Sequence, residues 1–332
     1  MERHPGADHP ENLRAFHQPD NIRIHSGGEI NSEKITLSVP ANLIDGRAIA
    51  AQIQSELAAR IADLRKRGVV SGLAFVRVGE DPASKVYVGR KEKACAELGI
   101  VSETHVLHEQ TTENELLALV TRLNGAGHLH GILVQAPLPR QIRESVIYSS
   151  VSPAKDVDGF HPVNVGKLML GDATGFRPCT PAGVVELLQR SGVKTEGAEV
   201  VVLGRGNIVG KPMAAMLCQK GRAANSTVTI CHSATRDIKS HCLRADIIVA
   251  AMGVAEFLKA DMVRPGVVVM DVGVNRVPDL TSKTGTKLVG DVDFQQIQPI
   301  AGKITPNPGG VGPMTIAMLL QNTVRAAEQS IG

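Results

Sequence analysis

Residues 85–95 read KVYVGRKEKAC, with Tyr87 four residues before Lys91. On a helix that spacing puts both side chains on one face. An exposed lysine is protonated at neutral pH and is a poor base. Burial, or a cationic substrate nearby, would lower its pKa into a useful range. Tyrosine is scarce, with only 2 in the chain. The stretch also reads as a solvated basic helix face, because Lys85, Arg90 and Lys93 surround Lys91. Three further stretches carry polar groups that could do chemistry. GILVQAPLP (131–139) sets Gln135 near the end of a buried strand, where α/β sheets hold ligands. KDVDGFHPVN (155–164) brings Asp156, Asp158 and His161 into one polar loop. PNPGGVGPMT (306–315) is a stiff Pro/Gly loop feeding a helix. Each has a plain structural reading when taken alone: a strand-end cap, helix caps and a turn.

A different chemistry is written in VVLGRGNIVGKP (201–212), where Gly204, Gly206 and Gly210 form G-x-G-x-x-x-G between an expected strand and an expected helix. The pattern is one residue longer than the usual dinucleotide fingerprint. Glycines there let the backbone approach a pyrophosphate, and a helix N-terminus supplies N–H groups. The next strand, TVTIC (227–231), runs into HSATR with no acid before Asp237. An acid at that strand end would hold a ribose 2′-hydroxyl and repel a 2′-phosphate. His232, Ser233, Thr235 and Arg236 stand there instead, and Arg205 adds a positive charge, so the cofactor expected is NADP.

These groups must be positioned by alternating strands and helices. Ile49, Ile53, Leu57, Ile61 and Leu64 recur at helical spacing before a basic stop at Gly68. LAFVRVG, VSETHVL and GILVQAPLP read as strands, separated by helices over DPASKVYVGRKEKACAELG and NELLALVTRLNG. A second series begins near residue 180 with TPAGVVELLQRSG, where Thr180 is the expected N-cap and Pro181 the first helical residue. EVVVLG, TVTIC, DIIVAAMG and VVVMDVGVN are its expected strands, and PMTIAMLLQNTVRAAEQ its closing helix. The pattern predicts an α/β protein of two lobes with a mostly parallel sheet and helical crossovers. The 332 residues also exceed what one core usually holds.

Composition narrows the function further. A net charge of +3 with no long basic run argues against nucleic acid. No apolar run approaches the ~18 residues that a membrane span needs. The 5 cysteines include no C-x-x-C pair, which points to free thiols and no metal site. The first 36 or so residues are polar, punctuated by Pro and Gly, and carry His4, His9, His17 and His25 at irregular spacing. They are expected to form a disordered tail.

Y-x-x-x-K is also the catalytic signature of short-chain dehydrogenases, but those proteins place the dinucleotide loop before it. Here the order is reversed, which disfavours that reading. Taken in order, YVxxK, ILVQxPLP, KDVDGFHPxNxGxL, RPCTPxGxxxLL, VVxGRxxIVGxP, DVGxN, VGDVxF and PGGVGPMT resemble the bifunctional methylenetetrahydrofolate dehydrogenase/methenyltetrahydrofolate cyclohydrolase family over residues 37–328. The resemblance implies NADP-dependent oxidation of 5,10-methylenetetrahydrofolate, then hydrolysis to 10-formyltetrahydrofolate, in a cleft between two α/β lobes. It implies a folate-binding catalytic domain from 37–160 and 312–332, and a Rossmann-like NADP-binding domain from 161–311. It implies Lys91, Tyr87, Gln135 and Asp158 as catalytic residues. Folate contacts would come from these four with Val134, Pro308, Gly309, Gly310, Gly312 and Thr315. NADP contacts would come from Gly204, Arg205, Gly206, Ser233 and Val274. A cytoplasmic homodimer working in one-carbon metabolism and purine biosynthesis is also implied. A single-activity dehydrogenase and a non-catalytic NADP-binding protein on the same scaffold stay open. The chain departs from the family pattern at Gly206 (often serine), Ala136 (often leucine) and Asn307 (usually valine).

Overall fold

The computed structural model describes residues 42–279, 281–282 and 285–331. The tail expected over residues 1–36 lies outside the described residues. Helix α1 (Gly46–Lys66) follows the predicted spacing, with Ile53, Leu57, Ile61 and Leu64 buried along one side. The Asp45 carboxylate caps it, accepting from the backbone N–H of Arg47 at 2.9 Å and Ala48 at 3.1 Å.

Three strands follow: β1 (Gly72–Val78), β2 (Val101–Leu107) and β3 (Gly131–Val134). They are parallel, in the order β2-β1-β3, with Leu73 opposite Ser102 and Gly131. β1 and β3 are buried throughout, whereas the edge strand β2 is half open. The crossovers are α2 (Pro82–Leu98) and α3 (Glu113–Gly125). α2 starts where Asp81 accepts from Ser84 N–H at 2.7 Å. It stops at Gly99, whose φ of 71° is left-handed and suits a residue without Cβ. Thr112 and Glu115 close a capping box on α3.

Two short helices in the connection, α4 (Glu144–Ser150) and α5 (Pro162–Leu170), were not foreseen. They bury only Ile147, and Asn164 with Leu168, respectively, too few for a periodic stripe. α6 (Cys179–Arg190) corrects its predicted start: Pro178, at ψ 130°, is the cap, and Thr180 and Pro181 lie inside the first turn. Thr180 is freed from capping and turns its hydroxyl to Thr315, 3.0 Å away.

The second sheet is parallel, in the order β10-β7-β6-β4-β5. Its strands are β4 (Glu199–Leu203), β5 (Thr227–Cys231), β6 (Ile247–Ala250), β7 (Val268–Asp271) and β10 (Lys303–Ile304). Helices α7 (Gly210–Leu217) and α8 (Ile238–Arg244) cross between the first of them. β7 stops four residues short of the predicted strand end. Asp271 accepts from Gly273 N–H at 3.0 Å and turns the chain. An antiparallel ribbon, β8 (Asn275–Pro278) with β9 (Thr286–Val289), then leaves the sheet, and the short α9 (Phe294–Ile297) follows.

The last helix, α10 (Val311–Gln329), packs along α1 and α6 and touches α2, β1 and β3. One aliphatic core therefore runs through Ile53, Phe75, Leu187, Val200 and Leu320 and ties the two sheets together. A tight joint lies where α1 meets the start of α10. A Cβ on Gly46 would sit 1.8 Å from the Gly310 carbonyl oxygen, a backbone atom that cannot swing away. Gly46→Ala is therefore expected to lower stability by about 1–3 kcal/mol, read as a lower urea midpoint at unchanged m-value.

Candidate active site

Lys91 projects from the middle of α2 and is 4% exposed. Its neighbours Lys85, Arg90 and Lys93 are exposed. The stretch is thus a solvated face with one lysine turned inward. Lys91 Nζ donates to Gln135 Oε1 at 3.0 Å and lies 4.7 Å from the centre of the Tyr87 ring. Gln135 is oriented by its own amide, which donates to the Ala136 carbonyl at 2.7 Å. Burial pushes the Lys91 pKa down, and the nearby Asp158 carboxylate opposes that. Burial raises Asp158 in turn, against the pull of Lys91. Burial also pushes the Tyr87 hydroxyl up to about 12, with Thr315 pulling it back. The phenol therefore stays protonated at physiological pH.

The two acids of KDVDG divide their work. Asp156 is buried and accepts from Phe160 N–H at 3.2 Å, His161 N–H at 2.8 Å and Asn164 Nδ2 at 2.8 Å. It holds the loop in shape. Asn322 of α10 donates to the Val157 carbonyl at 2.8 Å and fixes the loop from below. Asp158 is thereby aimed towards Lys91 and Cys179. The Cys179 thiol donates to the Val157 carbonyl at 3.3 Å, and burial holds its pKa well above the usual thiol range. All 5 cysteines are free thiols, as expected.

A cleft of about 150 Å³ collects Tyr87, Lys91, Val134, Gln135, Asp158 and Thr315 from the predicted set. Larger hollows lie between β2 and α3 and at the opposite end of the second sheet, but they are open grooves holding none of the predicted residues. Sequence reasoning missed Tyr148, Phe160, Cys179 and Ile208 in the cleft wall. Tyr148 and Phe160 stack as a tilted pair, ring centres 5.5 Å apart. Their scarcity was the available signal, since Tyr148 is the second of 2 tyrosines. Ile208 is one of two apolar residues, with Val209, inside the Gly-rich loop. It carries that loop to the wall shared with Lys91.

Pro308, Gly309, Gly310 and Gly312 do not line this cleft; Pro308 and Gly309 form the approach to α10, Gly310 is its cap and Gly312 lies in its first turn. Gly204, Arg205, Gly206, Ser233 and Val274 lie around the carboxyl ends of β4, β5 and β7. Gly204 has φ 114°, and a Cβ there would stand 2.2 Å from the Ala251 carbonyl oxygen. Gly206 faces open space. Arg205 is exposed, with Nη1 3.4 Å from His232 Nε2. An open glycine loop, a cation beside it and no acid at the end of β5 together fit a phosphorylated dinucleotide.

Comparison with known proteins agrees with this layout. Residues 44–158 match the tetrahydrofolate dehydrogenase/cyclohydrolase catalytic domain, and residues 178–331 match its NAD(P)-binding domain. The chain is 54% identical over 290 residues to bifunctional protein FolD 2 of Geobacter metallireducens, covering 87% of this chain and 98% of that one. The fold matches the bifunctional FolD dehydrogenase/cyclohydrolase of Campylobacter jejuni with a TM-score of 0.82 and 49% identity, over 86% of this chain and 98% of that one. It matches the Trypanosoma brucei FolD, solved with NADP and an inhibitor, with a TM-score of 0.83 and 40% identity, over 87% and 98% of the two chains. With both lobes, their order and the buried lysine cleft in place, the chain belongs to the tetrahydrofolate dehydrogenase/cyclohydrolase family.

Proposed function

We propose that this chain oxidises 5,10-methylenetetrahydrofolate to the methenyl compound with NADP, and hydrolyses that product to 10-formyltetrahydrofolate in the same cleft. The observation that carries the reading is Lys91: buried, bonded to Gln135, over Tyr87 and beside Asp158. Tyr87 stacks along the folate, Asp158 anchors the pterin, and Val134, Pro308, Gly309, Gly310, Gly312 and Thr315 shape the rest of its site. Gly204, Arg205, Gly206, Ser233 and Val274 hold NADP, which supplies the hydride acceptor when bound. Oxidation needs little proton traffic, so there the cleft chiefly orients the methylene carbon and excludes water.

Hydrolysis is where Lys91 acts. Water adds to the methenyl carbon, forming the C–O bond, and neutral Lys91 takes the proton released. The bond from that carbon to N5 then breaks. N5 takes the proton back from Lys91, the hydroxyl proton leaves to solvent, and the formyl group stays on N10. A lysine lowered by burial and held by Gln135 serves both transfers.

We assign residues 37–160 with 312–332 to the folate-binding domain and 161–311 to the Rossmann-like domain; among the described residues α10 packs against α1, α2, β1 and β3 of the first and against α6 of the second. Among the described residues no helix is long and apolar enough to cross a membrane. The protein works as a cytoplasmic homodimer, without nucleic acid or membrane.

An absorbance assay on the wild type decides the reading. Methylenetetrahydrofolate with NADP should give methenyl and then formyl product, and methenyl substrate alone should be hydrolysed without NADP. Methenyl accumulation without enzymatic hydrolysis would favour a single-activity dehydrogenase, and NADP binding without turnover a non-catalytic protein. Arg205→Ala should weaken NADP by roughly 10- to 100-fold, the worth of a charge-assisted phosphate contact, and leave NAD binding unmoved. Equal losses for both nucleotides in a titration would refute the 2′-phosphate assignment.

A further inference from the structure

We infer that Asn307 is a positioning residue that couples the two ligand sites, making NADP and folate bind cooperatively. The inference rests on the folate and NADP assignments above and goes beyond them. Two loops meet at this residue. One runs from Thr305 to Gly310 into α10 and carries Pro308 and Gly309. The other runs from β7 to β8 and carries Val274, whose side chain is 70% exposed.

The joint has three parts. The Asp271 N–H donates to Thr305 Oγ1 at 2.8 Å, and the Thr305 N–H to the Val269 carbonyl at 3.0 Å, so the loop bases are locked together. Further out, the Asn307 side-chain amide donates to the Gly273 carbonyl oxygen, one residue before Val274. Gly273 has little freedom to yield. Its N–H is held by Asp271, and a Cβ on it would lie 2.1 Å from Asp291 Oδ1.

Asp291, 1% exposed, extends the bracket by accepting from Met252 N–H at 2.6 Å, Gly253 N–H at 2.8 Å and Asn275 Nδ2 at 2.8 Å. The loops that end β6 and β7 are therefore pinned to a common buried carboxylate. Beyond Thr305 at the loop base, Asn307 is the side chain that ties this rigid cofactor-side frame to the Pro/Gly loop on the folate side. A valine, usual at this position in the family pattern, has no donor to offer.

A ligand that shifts the loop it touches shifts the other through the Asn307 bond, because the two move as one braced unit. The second ligand then meets a loop already placed for it, and binds more tightly. By linkage the factor is the same in either direction.

The test is calorimetric titration of NADP into the full chain, with and without saturating tetrahydrofolate, which binds the pterin site but carries no group to oxidise. In the wild type, tetrahydrofolate should tighten NADP. In Asn307→Val that tightening should shrink by roughly 2- to 10-fold, the worth of one hydrogen bond. Asn307→Ala, which removes the donor without adding a branched side chain, should behave alike, with circular dichroism checking that both variants are folded. A wild type showing no tightening, or variants that keep all of it, would overturn the coupling while leaving the functional reading intact. A wild type that binds no NADP at all would overturn both.

Discussion

Lys91→Met should lose hydrolysis of the methenyl compound by about 10²–10⁴-fold in kcat, the usual worth of a positioned proton-transfer group. Oxidation with NADP should fall far less. Methionine nearly preserves the length and volume of the side chain, so Tyr87 and the α2 face keep their packing. What disappears is the nitrogen 3.0 Å from Gln135 Oε1 and the charge opposite Asp158. The two reactions separate because hydride removal asks for orientation, whereas water addition asks for a base. Parallel initial-rate assays on one preparation check this directly. Equal losses in both reactions would make Lys91 a binding or folding residue.

Asp158→Ala should damage both reactions, chiefly through kcat/KM for the folate, by about 10- to 100-fold, the worth of a charge-assisted hydrogen bond to the substrate. A second effect has a definite sign. Asp158 favours the protonated form of Lys91, opposing burial. Without that carboxylate, burial is opposed less and the Lys91 pKa drops further. The pH at which hydrolysis reaches half its plateau should therefore move down in Asp158→Ala, even as the plateau falls. Oxidation should show no such displacement, because it takes no proton from Lys91. Full pH–rate profiles for both activities test this, and an unmoved or raised midpoint would remove Asp158 from the electrostatic account.

The arrangement of strands and helices was legible because apolar periodicity is strong in both series. α1 follows it closely, the three strands of the first sheet and β4, β5, β6 and β7 lie where expected, and α2 lies between its expected Asp81 and Gly99 limits; the two-residue β10 was not expected. The misses share a cause. α4, α5 and the β8–β9 ribbon bury too little for a periodic stripe to show. The start of α6 was misplaced because Ser/Thr-Pro reads as a cap with a first turn, while tertiary packing called the Thr180 hydroxyl to Thr315. At the site, the spacing from Tyr87 to Lys91 placed both side chains in one cleft, and a buried strand end placed Gln135 opposite them. The shared wall was harder to read. Tyr148, Phe160 and Ile208 reach the cleft from three loops and helices that no local pattern links. The bracket at Asn307 was likewise invisible, since it joins a side-chain amide to a backbone carbonyl 34 residues away in sequence.

The central claim is that one buried lysine serves hydrolysis as a base. The most direct measurement is the pH dependence of NADP-free methenyl hydrolysis, corrected for the uncatalysed rate, in the wild type and in Lys91→Met. A base acts in its neutral form, so the wild-type rate should rise with pH. The midpoint should lie below the ordinary lysine value of 10.5, because burial lowers Lys91. In Lys91→Met that limb should vanish. A limb that survives the substitution unchanged would contradict the assignment of Lys91 as the base.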